Sequence, residues 1–166
     1  MTNLSRDLLA GAAAGALGGA ALLGLSMTLY DLAKPQDIER EQAIEPRDPF
    51  IVLAQKMQKA TGKEMTEHEE KVFEQGVANG LSAVMGAAYA LTARQWKLGW
   101  LAGGVAFGAL FWLVEDEGIG PMMGLAGDNT KYPLEAHLRG LLSHIAFGVV
   151  TAGLLEAAGL PDRPKS

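Results

Sequence analysis

Six ionisable side chains within one stretch, Phe111 to Thr151, hold most of the chemistry that this chain offers: Glu115, Asp116, Glu117, His137, Arg139 and His144. Carboxylates can accept protons or cations, and a histidine changes charge near neutral pH. His144 stands inside an apolar run, where an ionisable group is costly unless it is paired or faces a cavity, so it is a functional candidate by default. Three readings of it are open: a neutral imidazole hydrogen-bonded to a backbone carbonyl, near Ser143 or to Asn79; a proton-responsive group coupled to the carboxylates; or a metal or haem ligand. The third is disfavoured because His137 and His144 lie two helical turns apart, too far to share one ion unless another helix supplies ligands. No metal and no cofactor is therefore expected. No nucleophile, phosphate-binding loop or paired-carboxylate signature is present, so the chain does not read as an enzyme.

These residues must be positioned by apolar segments. Leu8 to Tyr30 carries no charge over 23 residues, enough to cross a hydrocarbon core of roughly 30 Å as a helix. A cleaved signal peptide is the alternative for this stretch, but signal cores are usually about 7 to 15 residues. Asp31 to Lys71 then changes character, with ten acidic and seven basic residues that make it a polar loop or small extramembrane subdomain. Inside it Phe50, Leu53, Ala54 and Met57 recur at helical spacing opposite Gln55, Lys56 and Lys59, which predicts a short helix lying on a surface. Thr66 and Glu69 have capping-box spacing and start the next helix.

The uncharged runs Gly76 to Ala93 and Leu98 to Val114 follow, separated by Arg94 and Lys97, and read as a tight hairpin of two spans, with Glu115 to Glu117 ending the second. Gly118 to Pro133 reads as a loop. A last segment runs from about Glu135 to Gly159. The competing architecture, a soluble helical bundle, needs polar faces that these segments lack. The expected fold is all-α: one membrane domain over residues 1–166, a bundle of four transmembrane helices at about 8–30, 74–93, 98–114 and 137–159, with a charged extramembrane loop, 31–71, containing a short helix.

In lipid, helices associate through close packing, and small residues four apart mark the contact faces. Gly11, Gly15 and Gly19 form such a ridge on the first span; Gly76, Gly80, Ala83, Ala87 and Ala90 form one on the second. Gly99 with Gly103, Gly104 with Gly108, and Gly148 with Ala152 serve the others. The glycine-rich start does not read as a dinucleotide site, since no strand precedes it. On the last span His137, Gly140, His144, Gly148 and Thr151 share a stripe that should look into the bundle, and Arg139 should pair with Glu115 or Asp116. Arg6, Arg94, Lys97, Arg163 and Lys165 favour cytoplasmic termini, although the long loop's basic residues favour the reverse. A formal charge of -5 without a basic stripe argues against nucleic acid, and the absence of cysteine removes disulfides and thiolate chemistry.

Pro46-Arg47-Asp48-Pro49, Pro121-Met122-Met123-Gly124-Leu125, Pro133, and His144 with Gly148 together resemble the YagU-like inner-membrane proteins of bacteria. The sequence departs from that pattern at Glu45, in a shorter first loop and around the fourth span. The resemblance implies a multi-pass inner-membrane protein of undefined biochemistry, loosely associated with acid tolerance, and makes His144 and Pro121 to Leu125 positions of interest. The functional expectation is a non-enzymatic accessory or stress-related membrane component, embedded in the lipid bilayer as a homo-oligomer or a subunit of a larger complex. The alternative is a small proton-linked transporter or channel using His144, Arg139 and Glu115 to Glu117.

Overall fold

The computed structural model describes residues 3–44 and 49–160, and among them there is no strand. The chain runs through α1 (Asn3–Asp31), α2 (Pro35–Ile44), α3 (Pro49–Thr61), α4 (Glu67–Ala93), α5 (Trp100–Val114), a π-helical turn (Glu115–Ile119), α6 (Gly120–Met122), a 3₁₀ turn (Asn129–Lys131) and α7 (Leu134–Ala157). The Pro46 to Asp48 part of the proline element, Glu45, Arg163 and Lys165 lie outside the described residues.

Local chemistry accounts for most helix ends. α4 opens on the expected capping box: the Thr66 hydroxyl accepts from the Glu69 N–H while the Glu69 carboxylate accepts from the Thr66 N–H. The Thr66 backbone bond, then the hydroxyl bond, holds the Glu69 carboxyl below the usual range. α7 begins behind Pro133, whose fixed φ suits a helix entry. It ends at Gly159, φ +66°, where the Gly159 N–H bonds the Glu156 carbonyl and the Leu160 N–H bonds Leu155. Gly124, φ +61°, closes α6 with the same pair of bonds, so both positions need a residue at ease in the left-handed region. α3 falls where the apolar spacing predicted it and fully buries Ala54. α2 was hidden in the charged loop.

Four long helices make the body, each antiparallel to the one it packs on: α4 on α1, α1 on α7, and α7 on α5. The expected hairpin of α4 and α5 is thus corrected. Their neighbours are other helices, and the two meet chiefly where Tyr89 and Phe107 pack edge to face at 5.2 Å. Glycine sets the closest crossings. A methyl group added at Gly11 would stand 2.8 Å from the Ala90 Cβ, and one at Gly15 would stand 2.6 Å from the Gly86 Cα. Gly19 faces Ser82; Gly104 and Gly108 meet Gly148 and the His144 backbone. Gly76 and Gly80, expected on the α4 ridge, and Gly99 have open space instead. The α4 contact is made further along the helix, by Ala87 and Ala90 of the expected ridge together with Ser82 and Gly86, which lie outside it. Phe107, Phe111, Phe147, Tyr89 and Leu155 fill the core.

Two of the helices are long and apolar enough to cross a membrane, Leu4–Asp31 and Leu134–Ala157, where the sequence predicts four spans. α5 has only 15 residues before its geometry changes, and the uncharged part of α4 is diluted by Asn79, Ser82, Tyr89 and Thr92. At the end of the bundle away from the acidic stretch, Asp7 of α1 is fully enclosed. It accepts from Arg94 at 2.5 Å and from Arg6 at 3.3 Å. Arg94 caps α4, so its charge also suits the carbonyl end of that helix.

Candidate functional site

The acidic triplet does not end the third helical segment. It continues it as a π turn, in which the Gly120 N–H reaches back to the Glu115 carbonyl, and then as α6. The region expected to be loop from Gly118 is therefore helical as far as Met122. A π turn is wider than an α turn, so successive side chains diverge less around the axis, and such turns recur at functional sites. Here Glu115, Asp116 and Glu117, three consecutive residues, all approach α7.

His144 is the innermost member, 5% exposed, with its ring edge on Phe111 at 4.9 Å. Its Nδ1 lies 2.9 Å from the Gly140 carbonyl oxygen and its Nε2 lies 3.2 Å from Glu115 Oε2; Asp116 Oδ2 is 3.7 Å from Nδ1. His137, one turn into α7, is clamped the same way, with Nδ1 at 2.5 Å from Glu117 Oε1 and Nε2 at 3.1 Å from the Asn129 carbonyl. A carbonyl oxygen can only accept, so the nitrogen facing it carries the hydrogen. The other nitrogen then faces a carboxylate, and two acceptors remain at hydrogen-bond distance only with a proton or a cation between them.

Neighbouring elements hold this arrangement. The Asn129 amide donates to Glu117 Oε2 at 2.8 Å and to the backbone oxygens of Asp116 and Glu117 at 3.3 and 3.2 Å, tying the 3₁₀ turn to the π turn. That 3₁₀ turn is capped by Asp128, which accepts from Thr130; the Thr130 hydroxyl and N–H hold the Asp128 carboxyl below the usual range. Gly140 allows the close approach, since a methyl group there would stand 2.8 Å from Asp116 Oδ2 and 3.0 Å from Trp112 Nε1. Loss of water by burial pushes the Asp116 carboxyl up to about 6, the His144 charge opposing this and Glu115 and Glu117 adding to it.

Of the predicted stripe of α7, His144, Gly148 and Thr151 are buried while His137 and Gly140 are half-buried; Ser143, outside that stripe, is buried as well. Arg139, predicted to pair with Glu115 or Asp116, instead binds both oxygens of Glu41 on α2 at 2.6 Å and lies over the Tyr30 ring at 5.1 Å. The correction follows from rotation along α7, where Arg139 projects toward α1 and α2 while His137 and His144 project toward α5. Tyr30 in turn accepts from Gln42 at 2.8 Å, so α2 is fastened to the bundle at two points. Glu41, Asn129 and Tyr30 were missed by sequence reasoning. Only Asn129 had a signal, the Asp-Asn-Thr turn chemistry. Nothing distinguishes Glu41 from the other acids of its loop.

Comparison with protein-family models, with curated proteins and with solved structures gave no match. The resemblance to the YagU-like proteins rests on the motifs alone. Of these, Pro121 to Leu125 forms α6 and its closing turn, which accepts a bond from Lys56 of α3 at the Met123 carbonyl, 2.8 Å, and Pro133 caps α7.

Proposed function

We propose that this chain is a multi-pass integral membrane protein of the bacterial inner membrane, a non-enzymatic accessory or stress-related component of a membrane assembly, as the YagU-like resemblance implies. In this reading α1, α4, α5 and α7 all cross the bilayer, and α2 and α3 lie outside it. The observation that carries it is the outward surface. Only 22% of the apolar window of α1 is buried in the chain, whereas the core helix of a soluble protein is mostly buried. Leu17, Leu23, Val84, Leu101, Leu110 and Leu142 point outward from all four helices, each at least 48% exposed. An apolar exterior with glycine-lined contacts inside is the arrangement lipid favours, because there helices gain nothing from excluding water and associate by close approach.

The competing reading, a small proton-linked transporter or channel, has the His144 cluster and Arg139 in its favour but not the interior beyond them. Between His144 and the Asp7 end the core is Phe147, Phe107, Tyr89 and Leu155, with Thr151 as the polar exception. The test is to wash membranes at alkaline pH and to attach topology reporters after Gly62, Lys97, Gly127 and the C-terminus. Retention through the wash, release by mild detergent and alternating reporter signals are expected. Release by alkali alone would overturn the membrane reading, and a non-alternating pattern would reduce the number of spans. Stoichiometric foreign subunits in the detergent extract would support the accessory role.

A further inference from the structure

We infer that Glu115, Asp116 and His144 form a binding site for one divalent first-row transition-metal ion of the zinc class, clamping the π turn to α7. One ligand atom from each residue lies within 4.8 Å of the other two. With metal–ligand bonds of about 2.1 Å, the edges of a tetrahedral site are roughly 3.4 Å. The 3.2 Å between His144 Nε2 and Glu115 Oε2 already matches such an edge, whereas Asp116 Oδ2 stands 3.7 Å from Nδ1, so its carboxylate, on a partly exposed turn, swings toward Nε2 to close the set.

A second observation, from outside the three ligands, points the same way. The Gly140 carbonyl, 2.9 Å from Nδ1, takes the hydrogen of that nitrogen and leaves the Nε2 lone pair directed at Glu115. A metal-bound histidine characteristically has its second nitrogen fixed in this way. The two acceptors that then meet at Nε2 and Glu115 need a proton or a metal ion between them, and no lysine or arginine side chain takes that place among the described residues. Arg139 is engaged by Glu41, Lys131 by Asp128, and Lys56 by the Met123 carbonyl. Two carboxylates and a divalent ion sum to zero charge, which suits a position at the edge of an apolar bundle.

The ligand chemistry selects the class. One imidazole with two carboxylates suits zinc, manganese or ferrous iron; calcium and magnesium prefer all-oxygen shells, and copper(I) prefers sulfur. The His137 and Glu117 pair does not form the same site, because the Asn129 amide already occupies Glu117 Oε2. The seven-residue spacing of His137 and His144 keeps them from sharing an ion, and the ligands that His144 lacks on its own helix come from the π turn. Three protein ligands leave a coordination position for water or an anion.

The inference is independent of the membrane reading. Its test uses the full-length, tag-free chain, purified in mild detergent and stripped with chelator. Cobalt(II) is titrated while the visible absorption of the bound ion is followed, zinc is used as competitor, and bound zinc is counted after gel filtration. One ion per chain is expected, displaced by zinc and not by equal magnesium. Glu115→Gln and Asp116→Asn, which keep the side-chain shapes, should each weaken binding tenfold or more, while His68→Gln, at an exposed position of α4, should leave it unchanged, with helical circular dichroism reporting that each variant is folded. Absence of stoichiometric binding, meaning that a proton alone occupies the gap, would overturn the inference. So would a Glu115→Gln chain that binds as tightly as the native one, or loss of binding in His68→Gln.

Discussion

Replacing Gly15 by alanine tests the packing account most directly, because the added atom meets backbone. Its Cβ would overlap the Ser82 carbonyl oxygen and stand 2.6 Å from the Gly86 Cα and 2.9 Å from the Gly86 nitrogen. Carbon atoms in contact sit about 3.5 to 4.0 Å apart, so the shortfall is near 1 Å, and neither helix backbone can bend locally to supply it. α1 and α4 must therefore separate. A radial gap of about 0.5 to 1 Å forfeits a quarter to a half of the dispersion energy of the contacts lining it, and overpacking of this kind costs about 1 to 3 kcal/mol. Alanine's better helix propensity returns about 1 kcal/mol, leaving a net loss of up to about 2 kcal/mol. Gly80→Ala is the matched control, since nothing lies within 4 Å of the added methyl and only the propensity gain remains. The two variants should differ by about 2 kcal/mol, more than tenfold in the unfolding equilibrium. Reversible unfolding in mixtures of mild detergent and dodecyl sulfate, followed by circular dichroism, measures both. Equal midpoints, or a Gly80→Ala chain weaker than Gly15→Ala, would refute the assignment of Ser82, Gly86 and Ala90 as the α4 contact.

Two other perturbations probe polar groups. Arg94→Gln leaves the enclosed Asp7 with Arg6 as its remaining basic neighbour among the ion pairs described, so a loss of about 3 kcal/mol is expected, at the low end for a broken buried pair. The double variant Asp7→Asn/Arg94→Gln should recover most of it, and a double-mutant cycle with no coupling would show that the pair contributes nothing. Thr151 presents a fully buried hydroxyl with no hydrogen-bond partner among the described residues, so Thr151→Val should leave the unfolding midpoint unchanged or raise it. A loss above about 1 kcal/mol would mean that the hydroxyl is bonded after all.

Patterns confined to a turn or two were legible in the sequence. The capping box of Thr66 and Glu69, the apolar stripe of α3, the extent of α1 and the inward face of α7 all depend on side chains close together in the chain, where helical spacing alone decides who meets whom. The grouping of Glu115, Asp116 and His144 at one end was also legible, because two segments of opposite direction joined by a short connection must bring those ends together.

Partner choice across long separations was decided only by the tertiary structure. Gly76 and Gly80 belong to the small-residue ridge expected on α4 and Gly86 does not, yet Gly86 alone of the three touches α1, because where two helices cross depends on the loops and on the whole packed surface. Arg139 had several acids within reach on paper and found Glu41, 98 positions away, through the rotation of α7 against α1 and α2. The π turn could not be read from Glu115 to Ile119 either, since no residue type demands it. It exists where Asn129, His137 and His144 grip three consecutive acids from outside, and spacing in sequence carries no record of a grip made across the fold.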